Sequence, residues 1–303
     1  MTRRNCQAAG ARRPVVLPAA LPVAFLVSLA LAFAGAPAAV ADTSQSSNWA
    51  GYAVHRSGVH FKRVLGTWQQ PSATCTAGAP TYSSVWIGLG GYSQSSVALE
   101  QIGSEVDCGA SGKVVSSAWY ELVPAASHTI RMQVRPGDEL SAAVTVSGHR
   151  VQLELSDLTR HHTFSRTLRA ASIDVSSAEW ILEAPSECTS NLSCQTLPLA
   201  DFGTASFSRD RVVTTAGHRG GISNRQWGIS EITLTTGGGR HFIDRGASGA
   251  QAYALPSSLS SGGSSFTVTY RTGVTSAFAA ASASAARSAA RLAASGRPGT
   301  IVR

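Results

Sequence analysis

Short segments in which apolar and polar residues alternate run through residues 46–271. In the segment SSVWIGLGG, the alternation places Val85, Ile87 and Leu89 on one face of a strand and Trp86 on the other. Similar segments follow, namely SSAWYELV, TIRMQV, ELSAAVTVSG, RVQLELSDL, SAEWILEAP, ADFGTASFS, EITLT and SSFTVTYRT. Joints rich in Gly, Ser, Pro and Asn separate them, and no long amphipathic helix is predicted. The pattern therefore predicts one all-β domain over residues 42–271, an antiparallel sandwich or barrel.

The first 41 residues have the parts of an export signal. Arginines precede an apolar stretch from Val15 to Phe33, and small residues at Ala39 and Ala41 form a signal-peptidase site. We expect cleavage before Asp42; an uncleaved membrane anchor is the alternative. Two prolines interrupt the apolar stretch, which favours cleavage. Because no other run of about 18 apolar residues follows, the sequence predicts a secreted protein without stable membrane insertion after cleavage.

Basic residues are concentrated at the two ends of the chain. The net charge is +8, and residues 1–41 and 272–303 each hold four arginines and no acid. The middle of the chain therefore carries 17 basic and 17 acidic groups. A folded basic surface for nucleic acid is not predicted. The tail, residues 272–303, consists mostly of Ala, Ser and Arg, and we expect a disordered or weakly helical extension.

Four cysteines remain after removal of the predicted signal, namely Cys75, Cys108, Cys188 and Cys194. An even set agrees with an oxidising compartment. Four cysteines allow three pairings, of which we favour Cys75–Cys108 with Cys188–Cys194. Zinc is the alternative explanation, but the spacings match no zinc-ribbon pattern, so we expect no metal site.

The common hydrolase motifs are missing, but several polar groups lie in apolar strands. The sequence has no G-x-S-x-G elbow, no H-E-x-x-H helix and no D-T-G or D-S-G segment. Glu179 and Glu183 share one strand face. Trp119 and Glu121 share another, and Gln101 is in line with apolar neighbours. For each of these polar groups considered alone, the simplest interpretation is that its side chain faces solvent. Because buried carboxylates are costly unless they are hydrogen-bonded or used chemically, the combination indicates a cleft.

Seven segments carry a family resemblance. They are SSNWAGYAV (residues 46–54), VLGTWQQP, VWIGLGG, LEQIGSEVDC, AWYELVP, AEWILEAPSEC and LADFGTASFS. In order and spacing they resemble the glutamic peptidases, the secreted acid proteases also called eqolisins. The most specific signal is AWYE followed by AEWIxE, with LEQIG upstream. The resemblance covers residues 46–208 and extends more weakly to Tyr270.

The resemblance implies a β-sandwich of two large antiparallel sheets, one curved to form the substrate cleft. The family's catalytic Gln matches Gln101. Its catalytic Glu, the second acid of the EWIxE stretch, matches Glu183, with Glu179 as the fallback. The residues expected in the substrate cleft are Trp49, Trp86, Glu105, Trp119, Glu121 and Glu179. The family's disulfide after the catalytic strand matches Cys188–Cys194.

The resemblance further implies a secreted acid endopeptidase that acts on polypeptide substrates and needs no cofactor. Glu183 is expected to act on water as general base and then general acid, and Gln101 to stabilise the oxyanion, without a covalent intermediate. The sequence departs from the family pattern at Gly90, Leu122 and Val123. These departures change the expected surroundings of the substrate and leave the expected roles of Gln101 and Glu183 unchanged. We expect a monomer. The alternative function is a secreted carbohydrate- or peptide-binding sandwich without catalysis.

Overall fold

The structure, a computed structural model, describes residues 41–190, 193–235 and 252–272, without the side chains of 188–190 and 193–195. The strands are β1 (Asp42–Ser46), β2 (Trp49–His55), β3 (Phe61–Gln69), β4 (Ser84–Gly90), β5 (Leu99–Cys108), β6 (Val114–Val123), β7 (His128–Ile130), β8 (Glu139–Ser147), β9 (Arg150–Asp157), β10 (His162–Arg169), β11 (Ser177–Glu183), β12 (Ser186–Ser190), β13 (Ser193–Thr196), β14 (Thr204–Thr214), β15 (Arg219–Gly220), β16 (Gly228–Leu234), β17 (Tyr253–Pro256) and β18 (Phe266–Arg271). The described residues form no helix, so none of their elements is a helix long and apolar enough to cross a membrane.

Sixteen of the strands form one sheet, and β12 pairs with β13 in a separate hairpin. The order of the main sheet is β10-β9-β8-β3-β14-β18-β17-β16-β2-β11-β4-β5-β6-β7. Its two halves pack face to face, because β11, β4 and β5 contact β3, β8, β9 and β14. We call the half from β16 to β7 the site layer and the half from β10 to β18 the back layer.

The predicted antiparallel sandwich is confirmed, with one difference in how its layers are connected. The two layers are hydrogen-bonded into a continuous sheet along one side, because β17 pairs with both β16 and β18. The pairing of β1 with β16 is parallel, whereas the other ladders are antiparallel.

The alternation predicted for β4 is confirmed by where its side chains pack. Val85, Ile87 and Leu89 belong to the main hydrophobic core, together with back-layer residues such as Val144. Trp86 points away from them into a second apolar cluster on the opposite face of the site layer. Because every residue of β4 is buried, this central strand is covered on both faces, and burial of its apolar surface stabilises both clusters.

The favoured disulfide between Cys75 and Cys108 is present, with 5.2 Å between the Cα atoms. The backbone of β12 and β13 places Cys188 directly opposite Cys194. The side chains of this second pair lie outside the described residues, so their disulfide stays a prediction.

The predicted signal peptide (residues 1–41) and tail (residues 272–303) lie outside the described residues except for Ala41 and Thr272. The single-domain assignment of residues 42–271 and the cleavage site before Asp42 stay predictions.

Candidate active site

One face of the site layer carries all of the predicted catalytic and cleft residues. Residues directly opposite one another in antiparallel strands project to the same face. The registers of β2, β11, β4, β5 and β6 therefore align three neighbouring rows of side chains. The outer row is Trp49, Glu183, Ser84, Glu105 and Ser117; the middle row is Gly51, Ile181, Trp86, Gly103 and Trp119; the inner row is Ala53, Glu179, Gly88, Gln101 and Glu121. We call this surface the site face.

Glu183, the last residue of β11, is half-buried and receives hydrogen bonds on both carboxylate oxygens. Trp86 Nε1 donates to Oε2 at 2.7 Å, and Asn48 Nδ2 donates to Oε1 at 3.4 Å. Trp49 packs edge-on against Trp86, with 4.9 Å between the ring centroids. Donors on both oxygens favour the charged form of a carboxylate. The two hydrogen bonds therefore hold the Glu183 carboxylate in one orientation on the site face.

Asn48 is a site residue that the sequence analysis missed. Its side chain is fully buried, and the Ser46 hydroxyl donates to Asn48 Oδ1 at 3.0 Å, which turns Nδ2 toward Glu183. The Ser46 oxygen also accepts the backbone N–H groups of Asn48 and Trp49, at 3.1 Å and 2.9 Å. The polar run Ser-Ser-Asn before a buried strand was an available signal, since such residues stabilise turns through side chain–backbone bonds.

Gln101, in β5, is held by its cross-strand neighbour Glu121. Its side chain is only 4% exposed, and its Nε2 donates to Glu121 Oε2 at 2.7 Å. Gln101 Oε1 is buried and has no hydrogen-bond partner among the described residues. Since an amide nitrogen carries two hydrogens, Gln101 retains one further N–H donor beside an unused acceptor. Buried acceptors of this kind usually bond to water.

Glu183 and Gln101 are on the same face but do not touch. They are offset by two strands and four residues, and Trp86 lies in the row between them. In a flat sheet this offset corresponds to about 10 Å across the strands and about 13 Å along them. The structure thus brings Glu183 together with Trp86, and Gln101 together with Glu121, as two separate pairs. Anything that contacts both pairs, such as a water molecule with a peptide group, would lie between them.

The other predicted cleft residues differ in their exposure. Glu105 is half-buried and accepts a hydrogen bond from the Ser117 hydroxyl. Trp49 and Trp86 are fully buried, and Trp119 is 8% exposed. The tryptophan rings therefore support the site face from within and leave little aromatic surface open to a ligand.

Several carboxyl groups in and beside the site layer have raised pKa values. Burial raises the pKa of Glu179 well above its usual range, and the charges of Asp174 and Glu100 act in the same direction. Burial, followed by the charge of Glu105, raises the pKa of Asp107 to about 7. Glu179 is fully buried, although its register places it in the inner row of the site face, in line with Gln101. In acid these groups are neutral, and raising the pH adds negative charge near the two pairs.

The arrangement offers a carboxylate that can accept and return a proton, and an amide that can donate to an oxyanion. Within the described ranges, no three His, Cys, Asp or Glu side chains are grouped as metal ligands would be. The site face therefore carries the kinds of functional group that acid–base hydrolysis uses.

The family follows from a comparison with known proteins. A family model described as the peptidase A4 family matches residues 47–252, a stretch that contains every predicted catalytic and cleft residue. The chain belongs to the peptidase A4 family, and it is a glutamic-type endopeptidase, as the motif resemblance implied.

Solved structures share the fold. One is scytalido-glutamic peptidase with a transition state analog inhibitor, at 23% identity and TM-score 0.56, covering 74% of this chain and 98% of that chain. Another is SCP-B, a member of the eqolisin family, in a complex with the tripeptide Ala-Ile-His, at 22% identity and TM-score 0.52, with the same coverage of 74% and 98%. Identities this low show the fold alone. A search of curated proteins finds no match.

Proposed function

We propose that the protein is a secreted endopeptidase that hydrolyses polypeptides in acid, with Glu183 and Gln101 as its catalytic residues. The observation that carries the proposal is the placement of both side chains on the site face, each hydrogen-bonded to its own neighbour. The fold relatives bound to a transition state analog and to a tripeptide support a peptide as the ligand of this face. The Cys75–Cys108 disulfide supports an oxidising compartment outside the cytoplasm.

Glu183 acts first as a general base. It takes a proton from a water molecule while the water oxygen attacks the carbonyl carbon of the scissile peptide. The hydrogen bonds from Trp86 and Asn48 hold the carboxylate in one orientation. General base catalysis of this kind contributes roughly 10²–10⁴-fold in rate.

Gln101 stabilises the negative charge that develops on the carbonyl oxygen. Glu121 accepts one Nε2 hydrogen, which leaves the second for the oxyanion of a peptide that lies between Gln101 and Glu183. One such donor is worth roughly 10²–10³ in rate.

Glu183 then acts as a general acid. The proton taken from water is delivered to the amide nitrogen, the C–N bond breaks, and the carboxylate is regenerated without a covalent intermediate. Activity falls at low pH because Glu183 must be ionised, and it falls at higher pH as the neighbouring carboxyl groups with raised pKa values, Glu179 and Asp107, become charged. A bell-shaped pH profile with an acidic optimum follows.

A carbohydrate-binding role fits the site face less well. Sugar binding to a sheet commonly uses exposed aromatic faces. Trp49 and Trp86 are fully buried and Trp119 is 8% exposed, so the site face offers little surface for stacking.

The proposal is tested by cleavage of a casein-like protein substrate in acid. We expect Glu183→Gln and Gln101→Ala each to lower turnover by at least about 100-fold, because they remove the proton acceptor and the oxyanion donor. Exposed Glu187→Gln is the matched control and should keep full activity. Circular dichroism of each variant should match the parent protein.

Full activity in either site variant would reject the assignment of that residue. The same preparation tests export, because the protein recovered from the culture medium should begin at Asp42. Protein retained in the membrane with its first 41 residues attached would reject secretion.

A further inference from the structure

A pocket of about 780 Å³ lies at the end of the site face beyond Gln101. His55 and Ser177 face each other across β2 and β11, one pleat beyond the pair Ala53 and Glu179 of the inner row. Both residues line the pocket, together with the loop that leads from β4 to β5. The pocket is therefore a continuation of the site face and is distinct from the Glu183 and Gln101 pairs.

The pocket is lined by positive and hydroxyl-bearing side chains. Arg56 and His60 are exposed and His55 is half-buried. Arg56 is positively charged under the conditions of the proposed reaction, because a guanidinium keeps its proton in proteins. None of the described residues that line the pocket is acidic. The electrostatic potential of the pocket therefore favours a negatively charged ligand group.

The basic side chains are held in place by the surrounding structure. Arg56 Nη1 donates to the backbone carbonyl of Gln226 at 3.0 Å, which orients the guanidinium and leaves its other N–H groups for a ligand. The His55 ring stacks on Tyr92 with 4.6 Å between centroids. Ser230 joins them, because its hydroxyl is 3.0 Å from His55 Nε2 and 2.7 Å from the Tyr92 hydroxyl.

Asp174 is the carboxylate behind the wall of the pocket, and its charge is already compensated. It accepts the Ser96 hydroxyl at 2.5 Å and the backbone N–H groups of Gly91 and Ser176 at 3.3 Å and 2.8 Å. Its carboxylate oxygens are thus bonded to groups of the wall, and Asp174 forms no ion pair with Arg56 among the described residues.

We propose that this pocket is a substrate subsite that binds the acidic side chain of an Asp or Glu residue some distance from the scissile bond. The inference rests on the proposed function, because the ligand is the polypeptide being cleaved. The row of His55 and Ser177 lies four residues beyond the row of Ile181 and Trp86, which separates the two catalytic residues. Four residues of strand span about 13 Å, the length of about four residues of extended peptide.

The test measures cleavage of a set of peptides that differ at one position. Each site within five residues of the cleaved bond carries Glu, Gln or Ala in turn. The assay is run at about pH 4.5, where a free acidic side chain is partly ionised. We expect one position at which Glu raises kcat/KM about tenfold over Gln, the effect of one charge-assisted hydrogen bond. Arg56→Ala should abolish that preference and leave cleavage of the Ala peptide, which has no side chain that Arg56 could bind, unchanged. Arg169→Ala, at an exposed position of β10 in the back layer, is the matched control and should keep the preference.

The outcomes separate the subsite from the catalytic assignment. If the parent protein cleaves no peptide, the proposed function fails. If it cleaves peptides but prefers an acidic residue at no position, or if the preference survives in Arg56→Ala and Arg56→Gln, the subsite alone is rejected. Unchanged cleavage of the Ala peptide by either variant shows that the variant is folded, so a lost preference for Glu then reports on the pocket.

Discussion

Glu183 and Gln101 are each oriented by a different neighbour on the site face. The Trp86 indole holds Glu183 from the middle row, and the Glu121 carboxylate holds Gln101 from the adjacent strand. Both hydrogen bonds are 2.7 Å long, and each fixes the orientation of a side chain more closely than packing alone. In the proposed mechanism, this fixed orientation before substrate binds reduces the reorganisation required in the transition state.

At the residue scale, the substitution Trp86→Phe removes the indole N–H donor and keeps an aromatic ring at the same position. We expect Trp86→Phe to lower kcat/KM by roughly 10- to 100-fold, the value of a hydrogen bond to a charged group. The acid limb of the pH–rate profile should move to higher pH, because the ionised form of Glu183 loses a donor that stabilises it. The measurement is kcat/KM as a function of pH.

Trp227→Phe is the matched control for this substitution. Trp227 Nε1 donates to the carbonyl of Ile222 in the main core at 3.0 Å, so its loss costs stability without altering the site. We expect an unchanged acid limb in this control. An unchanged acid limb in Trp86→Phe as well would contradict the role of the indole.

At the scale of elements, the close approach of β4 and β5 depends on a glycine in the middle row. A methyl group at Gly103 would lie 2.4 Å from the Val85 carbonyl oxygen and 2.5 Å from Trp86 Cβ. Neither atom can move away from the added methyl group, because one belongs to the backbone and the other to the base of a buried side chain. Gly103 therefore allows the strand that carries Trp86 to pack against the strand that carries Gln101.

We expect Gly103→Ala to destabilise the fold by about 1–3 kcal/mol, the usual cost of overpacking, and to lower kcat/KM by moving Trp86 away from Glu183. Gly109→Ala is the control, because the nearest atom to its methyl group would be 3.7 Å away. Denaturant unfolding and kinetics on both variants check the prediction. Equal stability of the two variants would show that β4 and β5 tolerate the added group.

The strand face of each proposed catalytic residue was predictable from the sequence, whereas contacts between distant elements were not. Period-two alternation fixes which side chains share a face once a strand is recognised, and this placed Gln101 and Glu183 correctly relative to their own strands. The contact of Asn48 with Glu183 joins residues 135 apart in the chain, and no local pattern encodes it. The joining of the two layers through β17 and β18 likewise depends on long-range pairing.

At the scale of the whole molecule, uncharged carboxyl groups are distributed through both clusters of the sandwich. Glu100, Glu179 and Asp210 are fully buried. Burial raises the pKa of Asp210 well above its usual range. Burial, followed by the charge of Asp174, raises the pKa of Glu100 to about 8. These groups are compatible with a dry interior only when they carry a proton, so the packed sandwich is itself adapted to acid.

The stability of the protein should therefore decrease as the pH rises. A carboxyl whose pKa is raised by folding binds its proton more tightly in the native state, so its contribution is complete below the unfolded value of 4.5 and is lost as the pH rises toward about 8 for Glu100. For each such carboxyl group, the free energy of unfolding falls by about 1.4 kcal/mol for every unit that the pH rises in that window.

We expect the urea midpoint to fall between pH 5 and pH 8. Glu100→Gln should flatten this decline, because the amide side chain cannot ionise. Exposed Glu187→Gln should follow the parent curve. A decline in Glu100→Gln as steep as in the parent protein would exclude Glu100 as a source of the effect.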